Sequence, residues 1–229
     1  MEERNALPQT GSHPAWTAHT RATLGRPRYE YRVWDSGLAG VRKELKRLAV
    51  GSPASLSKET YLISDKTDDC NLKIRAERLN MKELIATENG LELWNPVLDC
   101  EFPLHDSTII DHIFPRLALK SPALQRRLYS MDDFLDWIQV EPSIRVVTII
   151  KKRTRFRLAE CLAEFTYVTI DKRESGTVAV ESINPDAVSR LVHRLRIADI
   201  PNTSYIRQLK QILGDRSNAS TSDRRESRE

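Results

Sequence analysis

The amino-acid sequence predicts an α+β fold in which antiparallel strands close into a barrel and helices flank its outer surface. Two observations lead to this prediction. Three segments carry basic side chains at every second position with apolar residues among those between, a pattern typical of strands with two unlike faces. Other segments carry helix-capping residues ahead of apolar stripes. If helices cover the apolar faces, the charged faces converge inside the barrel.

The strand prediction depends on residues that alternate in character. Each basic segment has charged side chains at one parity, which places them on one face of a strand. Two further segments, Ala163–Asp171 and Thr177–Glu181, are predicted as strands joined by a turn at residues 173–176. The three basic segments are Arg28–Trp34, Leu72–Arg78 and Arg145–Phe156. The cations on their charged faces are Arg28, Arg32, Lys73, Arg75, Lys151, Arg153 and Arg155.

Helices are predicted where a capping side chain precedes a stripe of apolar residues. The last helix buries Ile206 and Leu209 and ends at Gly214. The predicted starts of earlier helices are Asp35 or Ser36, Ser130 with Asp133, and Asn184-Pro185-Asp186. These segments supply the outer layer that the apolar strand faces need.

Composition indicates a globular protein with no predicted membrane span. The 229 residues carry a net charge of +4 and contain no apolar run near the ~20 residues that cross a bilayer. The three cysteines form no CxxC pair, so we expect reduced thiols and a cytoplasmic protein. Residues 1–26 and 215–229 lack an apolar period, and we expect them to be disordered. One barrel domain is predicted at residues 27–214.

Converging basic faces are costly without a counter-charge. Two cations ~6 Å apart at an effective dielectric of ~20 repel by roughly 3 kcal/mol. A phosphate chain supplies the missing charge, because Arg offers it a planar fork and Lys a point charge. Isolated carboxylates on the same faces, Glu30, Glu164 and Glu181, are of the type that holds Mg²⁺ or Mn²⁺ beside phosphates. The plainer alternative is a sheet with one wetted face, where Lys and Arg contact only water.

Several motifs in their order along the chain resemble the CYTH superfamily, the triphosphate tunnel metalloenzymes. The resemblance runs from about Arg28 to Gly214. The segments that carry it are RYEYR at Arg28–Arg32 (ExExK in the family), LKIRAER at Leu72–Arg78, KKRTRF at Lys151–Phe156, AEFTYVTID at Ala163–Asp171, AVESINPDAV at Ala179–Val188 and the C-terminal NTSYIRQLKQILG. It implies an eight-stranded antiparallel barrel, or tunnel, that binds triphosphate compounds and usually hydrolyses them with a divalent metal.

The resemblance also implies roles for single residues. Glu30, Glu164 and Glu181 are implied as ligands of Mg²⁺ or Mn²⁺, and Glu30 and Glu164 also as catalytic carboxylates. The seven cations named above are implied as substrate-binding groups. Arg28 replaces the first Glu of the family motif, and Ala179 stands where the late strand commonly has another Glu. Fewer hard anionic ligands predict weaker binding of a divalent ion.

Two functions remain open on these residues. One is metal-assisted hydrolysis of inorganic triphosphate, polyphosphate or a nucleoside triphosphate by a positioned water. The other is a module that binds polyphosphate, an anionic nucleotide or RNA, with RNA the less favoured partner. A third or fourth acid in the tunnel, such as Glu77 or Asp171, favours the enzyme.

A metal-dependent phosphohydrolase of the His-Asp type is a less favoured alternative. His105-Asp106 and Asp111-His112 are its only sequence support, and such sites need several further His and Asp ligands. The chain has five histidines, and Asp106 fits the first turn of a helix better than a metal site. We therefore expect these residues to be structural.

Overall fold

The computed structural model describes residues 24–214. The segments that we expect to be disordered, 1–26 and 215–229, lie outside the described residues except for residues 24–26, so their disorder and the domain limits stay predictions. The strands are β1 (Arg28–Asp35), β2 (Ser55–Ser64), β3 (Cys70–Arg75), β4 (Arg78–Glu88), β5 (Leu91–Glu101), β6 (Leu104–His105), β7 (Leu128–Tyr129), β8 (Ile144–Leu158), β9 (Cys161–Ile170) and β10 (Arg173–Ser182).

Eight of these strands close into one antiparallel barrel. Their order around it is β1-β10-β9-β8-β2-β3-β4-β5, and β6 and β7 form a separate two-stranded sheet. The described residues thus confirm the predicted α+β barrel of eight strands. Closure turns one face of every strand toward a shared interior.

Helices cover the barrel as the sequence predicts. The helical segments are α1 (Ala39–Leu48), α2 (Asp106–Thr108, the π-helical Ile109–Ile113 and Phe114–Arg116), α3 (Met131–Gln139), α4 (Pro185–Arg194) and α5 (residues 205–214). Ser130 and Asp133 form a capping box on α3, and Asn184 caps α4. The cap predicted for α1 is wrong, because Leu38 precedes that helix and Asp35 bonds Gly37 instead. Within residues 24–214, no helix combines the length and apolar character needed to cross a bilayer.

Two tight turns correct the predicted strand limits. The residues that join β3 to β4, Ala76 and Glu77, have φ angles of 49° and 58°. Asp171 and Lys172, which join β9 to β10, have φ angles of 44° and 68°. Two successive positive φ angles are typical of two-residue hairpin loops. Residues 72–78 are therefore not one strand, and residues 173–176 belong to β10. Neither Glu77 nor Asp171 is an acid of the barrel interior.

Apolar residues pack in three clusters around this framework. One lies between β1, β9, β10 and the helices α1 and α4. A second lies between β3, β4, β5 and the helices α2 and α3. The third is inside one end of the barrel, where Tyr205, Ile206 and Leu209 of α5 pack on β2, β8 and β9. The helix α5 therefore closes that end.

The interior changes from charged to apolar along the barrel axis. On β8 the inward positions run Arg153, Lys151, Ile149 and Val147, and the last two belong to the apolar cluster under α5. The same order appears on β2, from Glu59 to Tyr61 and Ile63. The barrel is thus closed at one end by α5, and its charged half lies at the other end.

The connection to α5 is tied to the backbone of β1 by two hydrogen bonds of the Asn202 side chain and one of the Thr203 amide. β1 pairs with β5 only through Arg28–Glu30, so the rest of β1 lacks a partner on that side. Asn202 accepts a bond from the amide of Arg32 (2.8 Å) and donates to the carbonyl of Glu30 (3.2 Å). The amide of Thr203 donates to the carbonyl of Arg32 (2.8 Å). These bonds fix the start of α5 against the strand that carries the first charged motif.

Candidate functional site

A cavity of about 320 Å³ occupies the charged half of the barrel. Four strands of the wall contribute its cations, and these outnumber the carboxylates that line it by six to four. The cations are Arg32, Lys73, Arg75, Lys82, Lys151 and Arg153, and the carboxylates are Glu30, Asp99, Glu164 and Glu181. The basic strand faces thus converge in one space, as their alternation predicts.

Five of the seven predicted phosphate-binding cations and all three predicted acids line this cavity. Arg28 is not among the lining residues, although it shares the parity of Glu30 on β1. Arg155 is exposed and lines a separate cavity of about 90 Å³ together with Glu164, Ala179 and Glu181. The structure therefore places Arg28 outside the main cavity, and it places Arg155 at an adjoining cavity that shares Glu164 and Glu181 with the main one.

The floor of the cavity is organised by Glu59, a fully buried carboxylate on β2. Its Oε2 atom lies 2.9 Å from the Nζ of Lys73 and 2.9 Å from the Nζ of Lys151, and its Oε1 lies 2.9 Å from Nη2 of Arg153. We call Glu59, Lys73, Lys151 and Arg153 the floor. One protein carboxylate that the sequence analysis did not identify therefore offsets much of the repulsion among three cations.

The charged groups of the floor shift one another's pKa values. Burial alone would raise the pKa of Glu59, but Lys73 and Lys151 outweigh it and hold the pKa far below its usual range. Burial and the charge of Lys73 depress the pKa of Lys151, against the opposing pull of Glu59. Lys151 also donates to the hydroxyl of Tyr61 at 2.7 Å and lies 3.5 Å from the ring centroid of Tyr205. Each of the three floor cations thus has a close ion pair with Glu59.

Arg32 bridges two of the predicted metal-binding acids. Its Nε donates to Oε1 of Glu30 at 2.7 Å, and its Nη2 donates to Oε1 of Glu164 at 3.0 Å. The guanidinium carbon also lies 4.5 Å from the ring centroid of Tyr205. Burial would raise the pKa of Glu164, yet Arg32 and Arg153 lower it to about 2. Both acids are therefore held in the charged form by a protein cation.

The strand register explains how Arg32 reaches across the barrel wall. Ala179 of β10 lies directly between Arg32 of β1 and Glu164 of β9, because it pairs with both. Its methyl group is small and 1% exposed. A short side chain at this position leaves space for the guanidinium to extend over β10 to the carboxylate on the next strand.

Partly open charges line the upper part of the cavity, and we call Arg75, Lys82, Asp99 and Glu181 the rim. Within residues 24–214, Lys82 has no ion pair, and the one ion pair of Arg75 is a 3.9 Å contact with Glu59. Glu181 likewise has no ion pair or side-chain hydrogen bond with a described residue. Burial raises its pKa, opposed by Lys82 and reinforced by Glu30. Asp99 pairs with Nε of Arg78 at 2.8 Å, so Arg75, Lys82 and Glu181 are the rim groups that a ligand can meet without breaking a close ion pair among the described residues.

Neutral polar atoms complete the cavity wall. The Tyr205 hydroxyl and the side-chain carbonyl oxygens of Asn71 and Asn80 are buried without a hydrogen-bond partner among the described residues. All three residues line the cavity. Because a buried polar atom without a partner is costly, these groups favour a polar occupant over an apolar one.

The acids in this arrangement do not fit the divalent metal site that the CYTH resemblance implies. Glu30 and Glu164 are each engaged by Arg32, and the remaining oxygen of Glu164 lies 3.5 Å from Nε of Arg153. Among residues 24–214, no group of three or more His, Cys, Asp or Glu side chains is placed to hold a metal ion. The position between the two acids is filled by a guanidinium.

The His-Asp pairs lie outside the barrel, with His105 at the end of β6 and Asp106, Asp111 and His112 on α2. The Nδ1 of His105 lies 3.4 Å from the backbone amide of Ser107, and Oδ1 of Asp106 accepts from the same amide at 2.7 Å. Ile109 and Ile113 of the same segment are fully buried. These contacts agree with the structural role expected of the helix start.

Sequence reasoning missed Glu59, Lys82, Asp99 and Tyr205. Glu59 lies in the run SLSKETYLIS, where Glu59, Tyr61 and Ile63 alternate with other residues at strand period. A single acid on an otherwise apolar strand face was the available signal, because such an acid needs buried cations as partners. Tyr205 had no comparable signal, since its position depends on α5 entering the barrel.

Comparisons with known proteins concern the fold alone. No family model matches the chain, and no curated protein matches it in sequence. The PH1012 protein of Pyrococcus horikoshii OT3 is 13% identical with a TM-score of 0.49, over 78% of this chain and 97% of that one. A protein of Bacillus halodurans proposed to be an adenylate cyclase is 10% identical with a TM-score of 0.47, over 78% and 95%.

HpAC1 of Hippeastrum, proposed to be an adenylyl cyclase and described as having a dominant triphosphatase activity, is 14% identical with a TM-score of 0.45, over 78% of this chain and 92% of that one. The closed eight-stranded barrel agrees with the tunnel that the CYTH resemblance leads us to expect.

Proposed function

We propose that the barrel cavity binds a polyanion of the triphosphate type. The observation that carries the proposal is the set of six Lys and Arg side chains that line one cavity of about 320 Å³. Phosphate oxygens accept several charge-assisted hydrogen bonds at once, and Arg and Lys are the side chains that donate them. Carboxylates already offset much of the floor charge, so the rim cations Arg75 and Lys82 are the principal groups left for the ligand.

The shape of the cavity limits how the ligand enters. Because α5 fills the far end of the barrel, a phosphate chain has access from the charged end alone. A cavity of this volume is at the lower end of small-molecule sites. Inorganic triphosphate, the terminal phosphates of a nucleotide, or one end of a polyphosphate fit these limits. An RNA strand could enter only by a terminal phosphate group, so RNA stays the less favoured partner.

A second function, hydrolysis of the bound chain, is supported by Glu181. This carboxylate lines the cavity, has no ion pair in the described range, and has a raised pKa because of its burial. Such a group accepts a proton from water near neutral pH more readily than a paired acid. The water oxygen would bond to the terminal phosphorus, Glu181 would take the proton, and the bridging oxygen would leave with the shortened chain. The rim cations would stabilise the transferring group.

Thermal unfolding with tripolyphosphate tests the binding proposal. We expect the melting temperature to rise with ligand concentration at low salt, because a ligand that binds only the folded state stabilises it. The double variant Arg75→Ala/Lys82→Ala should lose most of the shift. Its matched control is Lys58→Ala/Lys152→Ala, which removes two exposed lysines from the outer face of β2 and β8 and should keep the shift. Equal shifts in both variants would contradict a site in the cavity.

Orthophosphate release from tripolyphosphate tests the second function. We expect slow turnover by the wild type and at least a ~10²-fold lower rate for Glu181→Gln, because the base is lost. The variant should still bind tripolyphosphate, since no rim cation has changed. An unchanged rate in Glu181→Gln would remove this carboxylate from the reaction and leave binding as the function.

A further inference from the structure

We propose that the guanidinium of Arg32 takes the place of a divalent cation in this cavity, so that the protein binds its polyanion without a metal ion. The inference deepens the proposed function and rests on it only for the identity of the anion. Arg32 is a cation of the protein itself, and it lies between Glu30 and Glu164. The CYTH resemblance implies a metal ion at these acids.

Arg32 contacts the same two carboxylates that a metal ion between them would use. Nε lies 2.7 Å from Glu30 on β1, and Nη2 lies 3.0 Å from Glu164 on β9. One planar group therefore binds two carboxylates that belong to different strands. The Arg32 side chain is only 5% exposed. A buried bidentate guanidinium with two carboxylate partners is a stable arrangement, and dissociation of either partner leaves a buried unpaired charge.

The neighbours of Arg32 hold it in that place. The Tyr205 ring lies under the guanidinium, with 4.5 Å from the guanidinium carbon to the ring centroid. Arg153 approaches the second oxygen of Glu164 at 3.5 Å. Both oxygens of Glu164 therefore face cations, and a divalent ion would have to displace Arg32 and meet the charge of Arg153 as well.

Ala179 makes the bridge possible. It pairs with Arg32 on one side and with Glu164 on the other, and its side chain is almost completely buried. A longer side chain at this position would lie in the path of the guanidinium. Ala179 on β10 and Arg32 on β1 thus act together, because the alanine that stands at the family's acid position leaves the space that the guanidinium occupies.

The position of Arg32 predicts whether the cavity binds the anion with or without a bound metal ion. With Arg32 in place, phosphate oxygens meet protein cations directly and need no bridging metal. Mg²⁺ that binds free tripolyphosphate lowers the concentration of the uncomplexed anion, so it should weaken binding rather than support it. The preferred ligand class is therefore a polyanion free of metal.

Manganese binding to the full chain, followed by electron paramagnetic resonance, tests the inference. We expect the wild type to leave Mn²⁺ free in solution at equimolar concentrations near 100 μM, a probe concentration that reports sites with micromolar affinity. Arg32→Ala should bind about one Mn²⁺, because Glu30 and Glu164 lose their cation while Glu181 pairs with Glu30 on the next strand. Lys82→Ala is the matched control. It removes one cavity charge without releasing the bridged acids, so it should bind no Mn²⁺.

Three outcomes would overturn the inference. Stoichiometric Mn²⁺ binding by the wild type that is lost in Glu164→Gln would show a metal at the bridged acids. Equal Mn²⁺ binding by Lys82→Ala and Arg32→Ala would show that net charge, rather than the position of Arg32, excludes the metal. Tripolyphosphate affinity that falls at least 10-fold in EDTA relative to Mg²⁺ would show that the anion needs the metal. The third measurement uses wild-type protein alone and the first uses the wild type with Glu164→Gln, so both hold even if Arg32→Ala does not fold.

The same data separate this inference from the proposed function. Tripolyphosphate binding that depends on Mn²⁺ would retain the proposed function and reject the role of Arg32. Absence of tripolyphosphate binding, with Mn²⁺ bound only after Arg32→Ala, would reject the ligand and retain the built-in cation.

Discussion

The floor and the rim of the cavity contain similar charged groups but differ in how these groups are used. On the floor, Glu59 is fully buried and contacts three cations within 2.9 Å. On the rim, Lys82 and Glu181 have no ion pair among the described residues, and Arg75 is 39% exposed at its side chain. Buried ion pairs are costly to break, whereas a charge without an ion pair has no partner to lose when it is replaced. The comparison indicates that the floor maintains the barrel and the rim meets the ligand.

Replacement of the floor acid should have the largest effect on stability. Glu59→Gln leaves Lys73, Lys151 and Arg153 buried without their shared counter-charge, and removing one partner of a buried pair costs about 3–5 kcal/mol. We expect a loss of that size in the free energy of unfolding, measured by urea denaturation. Glu181→Gln is the matched control on the rim and should change it by less than about 1 kcal/mol. Similar losses in both variants would contradict the division between floor and rim.

The acid limb of the stability curve should depend on Glu164. Its pKa is lowered from 4.5 to about 2, so the folded state binds this proton less tightly than the unfolded state. A depressed pKa contributes stability that is present above the unfolded value and lost as pH falls toward the folded value. The loss therefore falls between about pH 4.5 and pH 2 and amounts to roughly 3 kcal/mol.

Urea denaturation between pH 5 and pH 2 measures this contribution. Glu164→Gln should flatten the fall in stability over that range relative to the wild type. Glu160→Gln changes an exposed acid at the β8–β9 turn and is the matched control, with a fall like that of the wild type. A fall of unchanged steepness in Glu164→Gln would show that the bridge to Arg32 contributes little.

Rim cations should affect ligand affinity more than stability. Lys82→Ala removes a charge that has no ion pair among the described residues, so the free energy of unfolding should change by less than about 1 kcal/mol. A charge-assisted hydrogen bond to phosphate contributes about 1.5–3 kcal/mol, so the Kd for tripolyphosphate should rise about 10- to 100-fold by calorimetric titration. Unchanged affinity together with lowered stability would place Lys82 with the floor instead.

The smallest effect is expected from the cations that the structure places away from the cavity. Arg28 is not a lining residue, and Arg155 is exposed on β8. Their contributions are long-range and screened by salt, so Arg28→Ala and Arg155→Ala should each raise the Kd by less than about threefold at 0.15 M salt. A tenfold rise in either variant would extend the ligand site beyond the described cavity.

The sequence predicted the barrel because the period of two is a local property of each strand. Lys73, Lys151 and Arg153 could be assigned to the interior from that period, since parity alone decides the face. The period cannot show which partner a charge meets across the barrel, so the bonds of Glu59 to three cations were not predicted. The bridge from Arg32 to Glu164 depends on strand register, because Ala179 must lie between them.

Turn geometry explains the remaining differences. Leu72–Arg78 alternates as one strand would, but Ala76 and Glu77 adopt positive φ angles and end β3 at Arg75. Neither residue has a strong turn preference, so the hairpin follows from the pairing of β3 with β4 rather than from local composition. The position of Tyr205 inside the barrel likewise depends on where α5 packs, and no local sequence pattern specifies that packing.

The most direct test of the account is a crystal structure of the protein grown with tripolyphosphate and EDTA. The account predicts phosphorus density inside the barrel, with phosphate oxygens within hydrogen-bond distance of Arg75 and Lys82 and the guanidinium of Arg32 still between Glu30 and Glu164. Tripolyphosphate bound only on the outer surface, or a cavity that stays free of phosphate at saturating ligand, would contradict the central claim.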